Sequence, residues 1–137
     1  MRICGIELKA NEAILVILEG ETFKHIEIPT RKILLGNSDK SEDVSKFKTS
    51  IEDFFTENKI TKTVIKKRAK KGKFAGGPDT FKMEALIQIV VNLEVTLVSP
   101  QALAAMEKKH TVEIPVTLNK YQHVAYLCGI YGIKSLS

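Results

Sequence analysis

The sequence predicts an α/β domain whose mixed sheet, three antiparallel strands followed by two parallel ones, carries helices on both faces. Three observations lead there. Strand-like runs joined by short turns open the chain. Helical and strand-like patterns alternate after the first 40 residues. The apolar run at 13–18 is unbroken, as in a strand covered on both faces.

Residues 2–8 alternate, with Ile3, Gly5 and Glu7 on one side and Cys4, Ile6 and Leu8 on the other. Ala10-Asn11-Glu12 reads as a turn, and Gly20 marks the next. Phe23, His25 and Glu27 alternate with Ile26 and Ile28 in a third, half-exposed strand ending at Pro29. Residues 30–40, which include Gly36 and Asn37, form a connector. Ser41 opens a helix whose first turn holds Glu42 and Asp43, acids that suit the positive end of the helix dipole. Val44, Phe47, Ile51, Phe54 and Phe55 make one apolar stripe along it, and Asn58 stops it.

A short β-branched strand follows at 61–65, then a basic loop and Gly76-Gly77-Pro78-Asp79. Asp79 or Thr80 is placed to cap a second helix. Through 81–91 that helix is apolar almost all round, with Phe81, Met83, Leu86, Ile87, Ile89 and Val91 among its residues. It is predicted to be sandwiched, between core layers or between two subunits. Residues 94–98 form another strand, and Ser99-Pro100 starts a short helix with Pro at its first position and Lys108-Lys109 at its C-terminal end. Residues 111–115 are irregular or a brief edge strand. A last helix runs from Leu118 or Asn119 to Tyr131, with Val124, Leu127, Cys128 and Tyr131 on one face. With neither internal repeat nor low-complexity linker, residues 1–137 read as one domain.

Composition is that of an ordinary globular chain, 44% hydrophobic and 27% charged. Met1-Arg2-Ile3-Cys4-Gly5-Ile6 leads straight into a strand and Glu7 interrupts it, so no secretory signal is expected. The apolar runs fall short of a membrane span. A cytoplasmic protein with no membrane association is expected, its two cysteines, Cys4 and Cys128, buried and reduced. Cys128 and His123 do not share a helix face, which argues against zinc. Net charge is +5, and Lys62, Lys66, Lys67, Arg68, Lys70, Lys71 and Lys73 contribute seven positive charges without an intervening acid. The rest of the chain therefore nets −2. Such a concentrated field attracts polyanions.

Three stretches carry a resemblance: Ile3-Cys4-Gly5-Ile6-Glu7, Thr63-Val64-Ile65-Lys66-Lys67 and Leu97-Val98-Ser99-Pro100. In this order the chain resembles the ribonuclease-H-like superfamily, and within it the compact RuvC-resolvase type. It also looks like a bacterial family of uncharacterised proteins sharing this opening and a Lys-Gly-Lys-(Phe/Tyr)-Ala-Gly-Gly loop, here Lys71 to Gly77. The superfamily resemblance implies phosphodiester hydrolysis by two divalent metals about 4 Å apart, held by carboxylates. The residues depart from that pattern. Glu7 stands where the superfamily has Asp, Lys66 or Lys67 stands at the second ligand, and residues 119–131 hold no acid, only His123. Magnesium needs hard oxygen ligands in a near-octahedral set. The usual two-metal site is therefore expected to be missing and no cofactor is expected, with Mg²⁺ entering only for a divergent nuclease. The resemblance further implies a homodimer through the second helix, because the corresponding resolvase helix lies at a dimer interface.

The strongest candidate interface is the basic loop itself. Lys66, Lys67, Lys70, Lys71, Lys73 and Lys82 would meet phosphates as point charges and Arg68 bidentately. Gly76 and Gly77 would let backbone N–H groups approach an anion at the start of the second helix, and Phe74 would stack on a base. Glu7 is the candidate catalytic residue, or else the partner of a loop lysine. The expected function is nucleic-acid binding through this loop, mostly by backbone contacts. Two alternatives stay open: a divergent nuclease or phosphoesterase with Glu7, Asp79 and Glu84 as metal ligands, and a non-enzymatic protein-interaction module.

Overall fold

β1 (Arg2–Lys9) turns through Ala10, at φ 53°, into β2 (Glu12–Glu19), and the two pair antiparallel along their whole length. The computed structural model describes residues 1–72 and 76–135. β3 (His25–Ile26) and β4 (Lys32–Leu34) both pair antiparallel with β2. On the other side of β1 lie β5 (Ile60–Lys66) and then β6 (Glu94–Val98), each parallel to its neighbour, giving the order β3-β2-β1-β5-β6. Cys4 pairs with Thr63, whose hydroxyl donates to the Cys4 carbonyl at 2.7 Å. The mixed sheet is as expected, with six strands rather than five.

β1 is central and has cover on both faces. Cys4, Ile6, Leu8, Leu15 and Ile17 face α1 (Ser41–Glu57) and α2 (Pro78–Gln88), where Phe47, Ile51, Phe54, Phe55, Met83 and Ile87 complete one core. Ile3, Ile14, Val16, Leu18 and Val64 face α3 (Pro100–Lys109) and α4 (His123–Lys134), where Leu103, Met106, Ala125, Cys128 and Ile130 complete the other. Ser99 caps α3 by accepting from the Ala102 amide at 3.0 Å, so Ser-Pro does start that helix. Both cysteines are free and buried.

The sequence reading needs four corrections. The connector at 30–40 contains a strand, β4, and the third strand shrinks to His25–Ile26 because Phe23 sits at φ 61°. The cap of α2 is Gly77, with Pro78 first in the helix; Thr80 Oγ1 bonds back to the Gly77 carbonyl at 2.6 Å, and Asp79 turns elsewhere. α4 is preceded by a 3₁₀ turn, Lys120–Gln122, and runs on to Lys134. The helix enclosed in the core is α4, not α2. α2 buries only Thr80, Met83 and Ile87 and ends at Gln88, leaving Ile89 and Val91 62% and 77% exposed.

Small residues explain α4. The Cα of Gly5 lies directly under the Ala125 carbonyl and the Gly129 amide; Gly132 rests on Ile3 and Val64 in the same way. A helix without bulk on one face sinks onto the sheet, and its neighbours then cover its flanks. Gln122, 2% exposed, pins the helix start to the Leu15 carbonyl at 3.2 Å. Two substitutions test this packing by urea denaturation. A methyl at Gly5 would overlap the Ala125 carbonyl, so Gly5→Ala is expected to cost about 3 kcal/mol or more. Gly77→Ala, whose methyl meets nothing within 4 Å, is expected to change stability by less than about 0.5 kcal/mol.

Candidate nucleic-acid interface

The parallel strands β1 and β5 end side by side, because Ile6 pairs with Ile65. Glu7 and Lys66 are the next residues, and both point to the α4 face, which they share with Ile3 and Val64. In open α/β sheets the C-terminal ends of parallel strands are where ligands gather. β5 leaves this point as the basic segment, held at its root by the Lys67 amide donating to the Val98 carbonyl of β6 at 2.8 Å.

The segment is closed at its base. The Gly76 amide donates to the Ala69 carbonyl at 2.8 Å, and Gly72 turns the chain at φ 96°, in the left-handed region that favours glycine. The Cα of Gly76 packs against Arg68 Cβ and Thr80 Oγ1, leaving no room for a side chain. The stem of Arg68 thus packs beside the start of α2. Lys66 and Arg68 are half-buried, while Lys67, Lys70 and Lys71 are exposed. Lys73 and Phe74 lie outside the described residues. Gly77 is exposed at the N-cap of α2, and Lys82 donates to the Ser38 carbonyl at 2.8 Å.

Lys62 leaves the basic cluster. It is 7% exposed, donates to the Gly132 carbonyl at the end of α4 at 3.3 Å and sits 3.7 Å from Glu94. Its charge serves the helix C-terminus, so the cluster read as seven charges offers six. The alternation of Lys62 with Val64 and Lys66 was the available signal.

Two carboxylates border the segment. Glu7 is half-buried and forms no ion pair among the described residues. Burial pushes its carboxyl above the usual range, and Lys66, Lys9 and Arg68 pull the other way without winning. Glu84 is one helical turn beyond Thr80 and so faces the same side as Arg68 and Gly76. Its carboxyl is also raised by burial, against the pull of Lys70 and Lys67. Burial takes the Cys128 thiol, next to Lys66 and Glu7, up to about 12, which leaves it unreactive.

These residues do not fit a two-metal centre. β1 brings one carboxylate, β5 brings lysines and α4 brings no acid. Glu7, Asp79 and Glu84 are not brought together either: Asp79 accepts from Ser38 Oγ at 2.6 Å, and the described residues contain no group of three or more His, Cys, Asp or Glu able to hold a metal ion. A separate cleft of about 640 Å³, lined by Phe23, Val112, Ile114, Val116, Tyr126 and Ile130 among others, shares no residue with the basic segment. Among the described residues no helix is long and apolar enough to cross a membrane.

Solved structures share this fold. RuvC of Thermus thermophilus in complex with a Holliday junction substrate is similar at TM-score 0.70 and 11% identity, covering 99% of this chain and 95% of RuvC. The fowlpox virus resolvase in complex with Holliday junction DNA is similar at TM-score 0.57 and 13% identity, covering 99% of both chains. The ribonuclease-H-like architecture expected from the sequence is therefore present. No curated protein matches the chain. A family model described as protein of unknown function (DUF3010) matches residues 1–131.

The position of Glu7 has a thermodynamic consequence. A carboxyl whose folded-state pKa is raised stabilises the fold below the unfolded pKa, and that contribution is lost as pH rises through the folded value. Ionised Glu7 therefore opposes folding at neutral pH. Glu7→Gln is expected to raise the melting temperature at pH 7 by about 1–3 °C. In calorimetry the difference should shrink as the pH is lowered through the carboxylate range and Glu7 takes up its proton in the folded protein.

Proposed function

We propose a nucleic-acid-binding role for this chain, which belongs to the DUF3010 family of proteins of unknown function. The observation that carries it is the placement of Lys66, Lys67, Arg68, Lys70 and Lys71 at the C-terminal ends of the parallel strands, next to the open N-terminus of α2. Lysines and arginine there bind phosphates by charge. Gly77 and the first turn of α2 add a positive dipole end. Lys73 and Phe74, next along the sequence, are included in the proposal, as is Lys82, although its ammonium donates to the Ser38 carbonyl. Contacts of this kind read the backbone and only weakly the bases.

Binding without two-metal hydrolysis is part of the reading, since the carboxylates that would hold the metals are replaced by lysines and apolar residues. The RuvC and fowlpox resolvase structures hold Holliday junctions, which makes a four-way junction the first probe to compare with duplex, single-stranded and hybrid forms. A homodimer through α2 and the residues just past its end is also proposed, on the exposure of Ile89 and Val91.

Fluorescence anisotropy without added metal, between about 50 and 200 mM salt, tests the binding. Affinity should fall steeply with salt, with a log–log slope of about −0.9 per phosphate contact on duplex. Replacing Lys70, Lys71 and Lys73 together by alanine should weaken it at least about tenfold at low salt. No binding to any probe at low salt would overturn the role. Light scattering over a concentration series tests the dimer. Ile89→Glu with Val91→Glu should yield monomers without loss of the folded state, and a wild-type protein that stays monomeric throughout would refute the interface.

A further inference from the structure

Tyr126, Ile130 and Lys134 follow one another by four residues along α4, and all three line the cleft of about 640 Å³. One stripe of the helix therefore forms one side of it. At a rise of about 1.5 Å per residue, roughly 12 Å separates the ends of that stripe. Val112, Ile114, Pro115 and Val116 line the cleft from the segment after α3, and Ile114 and Val116 are 37% and 100% exposed. The backbone of residues 112–114 makes no hydrogen bond among the described residues. Phe23, another lining residue, is held at φ 61°, a costly conformation for an aromatic residue, with the Lys134 ammonium 5.3 Å from its ring centre.

The two ends of the stripe are polar. Tyr126 is only 5% exposed, yet its hydroxyl makes no hydrogen bond among the described residues. No unbonded side-chain N or O atom of those residues is sealed from solvent, so this hydroxyl opens outward, and the cleft is where Tyr126 meets solvent. At the other end, Lys134 also lines a second cavity of about 320 Å³, together with Lys109 and His110 and with no acid. The one acid lining the main cleft, Glu113, is exposed.

We propose that this cleft binds an elongated apolar carboxylate bearing an oxygen near its far end. The apolar body lies along Ile130, against Val112, Ile114 and Val116. The far oxygen accepts from the Tyr126 hydroxyl. The carboxylate sits towards Lys134, in the positive field of Lys109 and Lys134, with His110 as a neighbour. A plain hydrocarbon would strip water from the Tyr126 hydroxyl and leave it without a partner, at a cost. A cation would meet the lysines. A volume of about 640 Å³ is within the usual range of small-molecule sites. The cleft shares no residue with the basic segment, so this site and nucleic-acid binding stand or fall separately.

Isothermal titration calorimetry with three probes below their micelle concentrations tests the site. ω-Hydroxydecanoate should bind tightest. Decanoate, lacking the far oxygen, and ω-hydroxydecanamide, lacking the charge, should each bind about 3–10-fold more weakly. Tyr126→Phe should erase the advantage over decanoate, and Lys109→Gln/Lys134→Gln the advantage over the amide. Val116→Asp alters a fully exposed residue and leaves the core intact; it should weaken all three probes. In ¹⁵N NMR spectra of the unaltered protein, ω-hydroxydecanoate should shift the amide signals of residues 112–114 and 116. Absence of binding by all three probes, equal affinities, or binding that leaves those amides and the Val116→Asp variant unaffected would overturn the proposal.

Discussion

Where α4 meets β1, backbone touches backbone: the carbonyl of Ala125 and the amide of Gly129 lie on Gly5, with no side chain between them. That contact sets the depth of the whole second layer. It lets Ile3 and Val64 meet Gly132, carries the end of α4 to Lys62 and brings Cys128 beside Lys66. It also confines the space above the C-terminal ends of β1 and β5, so that Glu7 is half-buried and not fully wet. A bulkier residue at Gly5 would lift α4 and open this corner. The electrostatic character of the basic segment is in that sense a product of close packing.

The same corner places a carboxylate and a lysine on adjacent strand ends. In a two-metal site, carboxylates from the first strand, a neighbouring strand and the last helix converge, and the metals neutralise them. Here the first strand supplies Glu7, the neighbouring strand supplies Lys66, and α4 supplies apolar residues and a thiol. Lys66 follows Ile65 as Glu7 follows Ile6 in the β1–β5 register. The pairing is incomplete, since burial outweighs the attraction of Lys66, Lys9 and Arg68 for Glu7. The basic segment beyond it keeps a surplus of positive charge.

Much of this was legible in the sequence, and the exceptions have physical causes. The β1–β2 hairpin, α1 and the Ser99-Pro100 helix start follow from local signals: alternation around a turn, an apolar stripe, and a cap followed by proline. β4 is three residues long and stands on β2 alone, so its pairing is a tertiary fact that leaves no mark on residues 30–40. The exchange of roles between α2 and α4 arose from counting apolar residues. Ile89 and Val91 look like core and are exposed, whereas Ala125, Gly129 and Gly132 look neutral and lie directly on the sheet. Lys62 was counted with the basic loop because charge runs are read along the chain, yet strand geometry turns it inward. Glu7, Lys66 and Arg68 were picked out from the sequence; that Thr80 packs with Arg68 against Gly76 depends on the direction of α2, which only the fold supplies.

Order of assembly is a further consequence of the Gly5 contact. β1 and β2 are neighbours in sequence and their pairing is local, but Gln122 reaches Leu15 across 107 residues and Thr63 reaches Cys4 across 59. Contacts of such separation form late, after loop closure has been overcome. During synthesis from the N-terminus, the first hairpin must wait with one apolar face uncovered until the last helix emerges. Half of the core thus has to wait for the synthesis of α4, and the exposed face of the hairpin is where a chaperone would find it.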